Sequence, residues 1–304
     1  MKVKFLGFDF ELFELSQKNL LSGFLAGHSQ SLSGYTIATL AAWHEHYEYA
    51  WVLAEPDTLL ISCAIGTDRK RHLLQPLGRF STALRHHLLT EVAKLAYDMR
   101  IVGVSENFLN KHRNFVGRFE IRNDRAAANY VYRTEDLAKL RGRKYSKKRN
   151  LISQASGLYE WAVLPLTPEH TGMCFSVLEQ IAITEQPEID QNLRREMAAL
   201  EYTLHHFQEL GQRGIVITVE GQPVAFSIYE RISEDMVAIH FERALRSYKG
   251  LYQVVNRETA RVIAKMGIEF INREEDLGNQ GLREAKLSYY PQQLASAYEL
   301  IFRH

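Results

Sequence analysis

The sequence predicts a mixed α/β protein of the α+β type, and three features indicate it. Segments with the two-residue alternation of strands and segments with the 3.6-residue period of helices follow one another along the chain. The 304 residues are about twice the length of a common domain, which suits one large domain or two of medium size. Hydrophobic residues make up 46% and charged residues 24% of the chain, so a core of normal size is available.

Net charge and cysteine content exclude several classes of protein. The formal charge of +1 argues against a surface that binds nucleic acid over most of its area. Cys63 and Cys174 are the only cysteines, so a disulfide scaffold and a cysteine-rich zinc site are excluded. No stretch approaches the roughly 18 apolar residues of a transmembrane segment, and the acidic N-terminus is unlike a signal peptide. We therefore expect a cytoplasmic protein without a transmembrane segment.

The predicted elements of the first half are few. Residues 51–54 and 58–64 alternate like a pair of strands around the turn Glu55-Pro56-Asp57. Residues 81–97 have leucines and valine near one face of a helix, and residues 101–104 form a short strand. The Ser- and Gly-rich residues 20–40 are assigned to no element.

The second half has a clearer order of elements. Thr167-Pro168-Glu169 begins a helix that extends to about residue 184, and a second helix covers residues 190–210 before Gly211. Predicted strands follow at 215–219, 224–231 and 236–243, then a helix at 252–266, a strand at 268–272 and a terminal strand pair at 285–290 and 298–302. This order is expected of a GNAT-type acyltransferase lobe, which on periodicity alone is one candidate among several α+β folds. We expect an N-terminal lobe at 1–133, a basic linker helix at 134–155 and a C-terminal lobe at 156–304.

Two longer segments carry a family resemblance. NYVYRTEDL (129–137) continuing through LRGRKYSKKRN (140–150), and INREEDLG (271–278) with GLREAKLSYYP (281–291), resemble a bacterial family of unknown function. That family is similar to the C-terminal domain of phosphatidylglycerol lysyltransferases; residues 35–43 and 73–78 are weaker matches. The resemblance implies two tandem GNAT-like N-acyltransferase lobes, each a mixed, mostly antiparallel sheet flanked by helices. It also implies transfer of an aminoacyl group from charged tRNA to a lipid amine or hydroxyl.

A basic run covers residues 141–149 and has six cations in nine residues. Such a run suits the phosphates of an RNA or a coenzyme, and Tyr145 offers a ring for stacking. The alternative is a solvated linker helix. The candidate phosphate-binding residues are Lys144, Lys147, Lys148, Arg149 and Asn150.

A second polar group follows the predicted strand at 268–272. Its members are Asn272, Arg273, Glu274, Asp276, Arg283 and Lys286. Charges at the end of a core strand are costly unless they are paired or used, which favours a site. The alternative is a salt-bridge network that holds the last strand. The turn at 276–278 also suits backbone N–H groups that face an anion.

Glu242 lies at the end of a predicted strand, where acyltransferase lobes separate two strands to admit substrate. A carboxylate there can accept the proton of an attacking amine, or it can pair with Arg243 or Arg246. The turn before the next helix contains Lys249 and Gly250, where coenzyme A acyltransferases bind pyrophosphate. Only one glycine is present there, which favours aminoacyl-tRNA over acyl-CoA as the donor. No histidine spacing suits a metal, so none is expected.

The leading hypothesis is an acyl or aminoacyl transferase in which an amine or hydroxyl attacks an activated ester or thioester directly. Glu242 or Glu274 takes the proton, and Arg283 and Lys286 hold the donor phosphate or the oxyanion. The acceptor is a small molecule, a peptide or a lipid. Two alternatives remain: a non-catalytic ligand-binding module on the same fold, and an acetyl-CoA-dependent N-acetyltransferase.

Overall fold

A computed structural model describes residues 1–28, 31–185 and 191–303. By its internal contacts the chain forms two compact units. The first contains Met1–Asn129, Glu275–Asn279 and Ala295–His304; the second contains Tyr130–Glu274 and Gln280–Leu294. Two segments from the C-terminal part of the chain thus belong to the first unit. No helix in the described part of the chain is long and apolar enough to cross a membrane.

The strands and helices are numbered in chain order. The strands are β1 Lys2–Phe5, β2 Phe8–Leu12, β3 Ala50–Glu55, β4 Thr58–Ile65, β5 Lys70–Leu74, β6 Leu77–Gly78, β7 Met99–Val104, β8 Glu120–Arg133, β9 Trp161–Pro165, β10 Arg213–Val219, β11 Gln222–Arg231, β12 Met236–Ala244, β13 Phe270–Asn272 and β14 Gln293–Phe302. The helices are α1 Lys18–Gly27, α2 Ile37–Ala42, α3 His44–Tyr47, α4 Thr82–Val92, α5 Glu106–Lys111, α6 Arg113–Val116, α7 Thr134–Lys139, α8 Ser146–Leu158, α9 Thr171–Glu185, α10 Gln191–His205, α11 Leu251–Lys265 and α12 Gln280–Leu287. Short 3-10 helices cover Leu15–Gln17, Arg143–Tyr145 and Pro168–His170.

The sheet of the first unit has the order β1-β2-β3-β4-β5-β7-β14. Its pairs are antiparallel except β5 and β7, which are parallel and joined through α4. The turn before α4 is packed onto β4, since β6 pairs with β4 and a Cβ on Gly78 would lie 1.9 Å from the Asp57 carbonyl oxygen. Ser81 caps α4 by accepting a hydrogen bond from the Leu84 N–H.

The sheet of the second unit has the order β8-β13-β12-β11-β10-β9, and of β8 only residues 130–133 belong to this unit. Here the parallel pair is β12 and β13, joined through α11, and the other pairs are antiparallel. One face of this sheet packs with α11, whose buried residues recur at helical spacing. These residues are Leu251, Val254, Val255, Thr259, Ala260 and Ile263. Each unit therefore has a mostly antiparallel sheet with one parallel pair, joined by a helix.

Most predicted elements are confirmed, with strands that are one or two residues longer at their ends and two helices that are shorter. The strands at 51–54, 58–64, 101–104, 215–219, 224–231 and 236–243 and the helix at 252–266 are present. The helix expected at 81–97 ends at Val92, and the helix expected at 190–210 ends at His205. Residue Asp190, where the latter was expected to begin, lies outside the described residues.

One prediction was wrong. Residues 285–290 were expected to form one member of a terminal strand pair, but the structure has a helix, α12, that ends at Leu287. Alternating Ala285, Leu287 and Tyr289 resembles a strand, yet a short apolar run does not distinguish the two elements by period. The residues of α12 are mostly good helix formers, and Tyr290 follows with φ of 54°, which ends the regular structure.

Candidate functional site

The candidate site lies where β12 and β13 stop pairing. Their parallel register contains three pairs: Met236 with Phe270, Val237 with Ile271 and Ala238 with Asn272. β12 continues to Ala244, so its last six residues have no partner strand on that side within the described part of the chain. Glu242 stands on this unpaired part of β12, and Arg273 follows β13 directly.

Glu242 and Arg273 form a largely buried ion pair. Glu242 Oε1 lies 2.9 Å from Arg273 Nη2, and the two side chains are 11% and 15% exposed. Burial is the largest single influence on Arg273 and disfavours the charged guanidinium, but Glu242, Tyr132 and Tyr289 together raise the pKa of Arg273. Asn256 of α11 is fully buried, and with its amide oxygen toward the guanidinium it accepts from Arg273 Nη1 at 3.1 Å. The arginine is therefore held from two sides.

The second oxygen of Glu242 is buried without a hydrogen-bond donor among the described residues. Ser227 of β11 stands opposite Glu242 in the sheet register, and its buried hydroxyl also lacks a partner within the described part of the chain. Directly opposed residues of antiparallel strands share a face and lie close together. Since buried polar atoms are nearly always satisfied, these two atoms indicate a place for a polar ligand or water.

Tyrosine rings surround the guanidinium of Arg273. Its central carbon lies 5.2 Å from the ring centroid of Tyr289 and 5.9 Å from that of Tyr132. Burial raises the pKa of both tyrosines far above the ordinary value, so they remain protonated. The Tyr132 hydroxyl donates to the Lys286 carbonyl oxygen at 2.8 Å, which ties β8 to α12. The rings thus provide a low-dielectric wall for the charges.

His240 bridges the gap between β12 and the residues after β13. Its Nδ1 lies 2.7 Å from Glu274 Oε1 and its Nε2 lies 2.8 Å from Glu230 Oε1. Burial alone would lower the pKa of His240, but the carboxylates of Glu274 and Glu230 raise it to about 10. Both ring nitrogens then donate, so His240 is a charged imidazolium at neutral pH. The carboxylate of Glu274 is therefore engaged by His240.

Lys286 and Asn272 support the backbone of this region. Lys286 is 8% exposed, and its ammonium donates to the Arg273 carbonyl oxygen at 2.5 Å and lies 5.6 Å from the Tyr130 ring centroid. Asn272 is fully buried, and its side-chain oxygen accepts from the Glu274 N–H at 2.7 Å. Both side chains thus orient the residues on either side of Arg273. Arg283, on α12, is half-buried.

Asp276 belongs to the first unit and is fully buried. Its carboxylate lies 3.2 Å from Arg125 Nη1 and accepts from the Gly278 N–H at 2.9 Å. The Leu277 N–H donates to the Ala126 carbonyl oxygen. The amides of this turn, which the sequence suggested as an anion site, are therefore satisfied inside the unit.

The residues of the basic run face different surroundings. Lys147 and Asn150 are exposed, whereas Arg149 donates from Nη1 to the Leu140 and Gly142 carbonyl oxygens at 2.6 Å. Lys144 is exposed, lies 3.8 Å from Asp136 and contacts the Tyr145 ring. Lys148 is half-buried and donates to the Ser288 hydroxyl at 2.7 Å. One residue of the run therefore points into the second unit.

The turn before α11 is filled by α8. Gly250 has φ of 81°, and a Cβ there would lie 2.3 Å from the Leu151 carbonyl oxygen. The neighbouring Lys249 is exposed, and its N–H donates to the Tyr159 hydroxyl at 3.3 Å. The α8 backbone therefore packs directly against this turn on the side of the Gly250 Cα hydrogen. Across the described residues, no group of three or more side chains suits a metal ion.

Sequence reasoning missed His240, Asn256, Ser227 and Tyr289. Two of them carried a local signal: His240 interrupts an otherwise apolar strand, and Asn256 is a polar residue on the apolar face of α11. Ser227 and Tyr289 had no such signal because only the fold brings them to Glu242 and Arg273.

Comparison with known proteins decides the family. The model of the phosphatidylglycerol lysyltransferase C-terminal family matches residues 26–300. The chain belongs to this family. No match was found among curated proteins.

Three solved structures resemble this member of the phosphatidylglycerol lysyltransferase C-terminal family. A conserved protein of unknown function from Bacteroides thetaiotaomicron is 29% identical with a TM-score of 0.88, over 97% of this chain and 99% of that one. L-PGS from Bacillus licheniformis is 14% identical with a TM-score of 0.66, over 97% and 94%. A tandem GNAT protein from the clavulanic acid biosynthesis pathway is 9% identical with a TM-score of 0.52, over 97% and 98%. The expected GNAT-like fold is thereby confirmed.

Proposed function

We propose that this chain is an acyl or aminoacyl transferase in which Glu242 is the general base. The observation that supports this most is the buried, unpartnered Oε2 of Glu242 at the open end of β12. Its other oxygen is held by Arg273 at 2.9 Å, which fixes the orientation of the carboxylate that a base would present to the acceptor. The family and the fold favour transfer chemistry, while the donor and the acceptor belong to the proposal.

The reaction is a direct displacement. An amine nitrogen, or a hydroxyl oxygen, attacks the ester carbonyl carbon while its proton passes to Glu242 Oε2. The new bond to the carbonyl carbon forms, the ester C–O bond breaks, and the proton is delivered to the departing alkoxide. A covalent cysteine intermediate is disfavoured, because burial raises the pKa of Cys174 in the same unit to about 12.

The donor favoured by the geometry is an ester such as an aminoacyl-tRNA. In the second unit, α8 packs against Gly250 at the start of α11, where a Cβ would lie 2.3 Å from the Leu151 carbonyl oxygen. In the first unit, the turn before α4 is packed onto β4. Neither helix start is therefore open in the way that coenzyme A binding requires.

The test is transfer from charged tRNA pools to amine, peptide and lipid acceptors, read by mass spectrometry, with acetyl-CoA as a parallel donor. Glu242→Gln should lower kcat by about 10²- to 10⁴-fold, the usual contribution of general base catalysis, while the fold is kept. The exposed Glu234→Gln is the control and should retain full activity. Failure of the wild type to transfer from any donor would overturn the proposal. Turnover with acetyl-CoA alone would show that the donor is a thioester and not an ester such as aminoacyl-tRNA.

A further inference from the structure

Lys148 differs from the other cations of the basic run. Its ammonium donates to the Ser288 hydroxyl at 2.7 Å and lies 4.1 Å from the ring centroid of Tyr289. The Ser288 hydroxyl in turn donates to the Ala285 carbonyl oxygen at 2.6 Å, so its lone pairs face the lysine. These contacts fix the position of the ammonium, whereas the neighbouring Lys147 has an exposed side chain.

The charges around Lys148 are not balanced. The Tyr289 ring contacts both Lys148 and Arg273. The Lys148 Nζ lies 4.1 Å and the Arg273 Cζ 5.2 Å from the ring centroid. Burial and the charge of Arg273 both lower the pKa of Lys148, so the two cations repel each other. Glu242 compensates Arg273, and Lys148 has no ion-pair partner among the described residues. The three charges therefore sum to about +1 in a half-buried place, which favours an anion.

Among the described residues, the Lys148 ammonium has one side-chain acceptor, the Ser288 hydroxyl. An ammonium has three N–H donors, of which one is used by Ser288. Lys148 is the third residue of α8, and helical side chains lean toward the N-terminus of their helix. The positive end of the helix dipole thus adds to the charge of the ammonium.

We infer that Lys148, oriented by Ser288 and the Tyr289 ring, binds a phosphodiester group of the substrate beside the Glu242–Arg273 pair. This deepens the proposed function, on which it rests, by assigning the phosphate contact to the half-buried lysine of the run instead of its exposed neighbours. A nucleotide and a phospholipid headgroup both carry this chemical group. Either one, bound here, would place its ester or hydroxyl near Glu242.

The experiment compares Lys148→Met with Lys147→Met, two changes of the same kind at adjacent positions. The probes are inorganic phosphate, a dinucleotide with one phosphodiester, and glycerophosphoglycerol, a headgroup without acyl chains. Each is titrated against the full chain by NMR, without turnover. Lys148→Met should weaken binding of at least one phosphodiester about tenfold or more, the loss of one charge-assisted hydrogen bond. Lys147→Met should leave it within about twofold.

The pattern of losses identifies the source. A loss confined to the dinucleotide assigns a nucleotide, a loss confined to glycerophosphoglycerol assigns a lipid headgroup, and an equal loss for both probes supports a site for the phosphodiester alone. Equal losses in the two variants, or none in Lys148→Met, would overturn the inference. If Lys148→Met fails to fold, Ser288→Ala replaces it, and unchanged binding there counts against the site. Binding through Lys148 without any transfer would retain the inference and reject the proposed function.

Discussion

At the scale of single residues, Glu242 shows what a sequence can and cannot indicate. Its place at the end of β12 was predictable from the strand pattern, and the structure has it there. The sequence could not decide whether Glu242 is a general base or a member of a surface ion pair, because that depends on which side chain Glu242 contacts. Arg243 was one expected partner, but Arg243 lies 2.6 Å from Glu196 of α10, while Glu242 pairs with Arg273, 31 residues away.

His240 leads to a prediction about pH. Its pKa rises from the ordinary 6.5 to about 10 on folding, so the folded protein binds this proton more tightly. The contribution of protonated His240 to the free energy of unfolding is complete below pH 6.5. It decreases as the pH rises from 6.5 to 10 and is lost above pH 10. The difference in free energy of unfolding between wild type and His240→Gln, measured by urea at pH 6, 8 and 10, should therefore shrink as the pH rises.

The control for this pH series is His86→Gln, since His86 is exposed. Its difference from wild type should not change between pH 6 and pH 10. A difference for His240→Gln that is equally large at all three pH values would show that the imidazole acts by its shape and not by its charge.

At the scale of elements, most periodic segments were predicted with the right type because helix and strand periods are local properties. The error at residues 285–290 arose where the apolar run was short and fitted both periods. The N-terminal hairpin of β1 and β2 and the long strand β8 were not predicted at all. The ends of α4 and α10 also differed, since tertiary contacts decide where a helix stops.

The contact between α8 and the start of α11 can be tested at Gly250. Gly250→Ala would bring a Cβ to 2.3 Å from the Leu151 carbonyl oxygen at a φ of 81°. The variant should lose about 2–4 kcal/mol, the sum of backbone strain and overpacking. The measurement is the free energy of unfolding from urea denaturation.

Gly221→Ala is the matched control for this element contact. Gly221 has a similar φ of 79° in the turn between β10 and β11, but no atom lies within 4 Å of a Cβ placed there. It should lose only about 1 kcal/mol, from backbone strain. Equal losses in the two variants would mean that α8 yields to the added methyl group and does not fill the turn.

At the scale of the whole molecule, a net charge of +1 leaves little long-range attraction for a polyanion. Any affinity for a longer RNA, beyond the one phosphodiester assigned to Lys148, should therefore depend on the exposed part of the basic run. Replacing Arg141, Arg143 and Lys147 with Gln should lower the slope of log affinity against log salt by about 2, since each phosphate contact to a single strand contributes about 0.7. Fluorescence anisotropy of a short single-stranded RNA across a salt series measures this slope.

The control for the salt series removes three exposed cations from other places, Lys4, Lys111 and Lys265. This variant has the same net charge as the first, so the two differ only in where the charge was removed. Equal slopes for both variants would indicate that the basic run is a solvated linker that does not contact RNA.

The sequence by itself determined the mixed fold, the order of most elements and the family. Periodicity, turn residues and the two long motifs are local properties, so each can be recognised in a short stretch of chain. Only the tertiary structure decided which charges meet. Lys148 reaches Ser288, 140 residues away, and Tyr132 reaches Lys286, 154 residues away. His240 Nδ1 contacts Glu274 Oε1 across the gap between β12 and the residues after β13. Hydrogen bonds and ion pairs act over a few ångströms, so the role of each charged side chain depends on distances that chain folding alone sets.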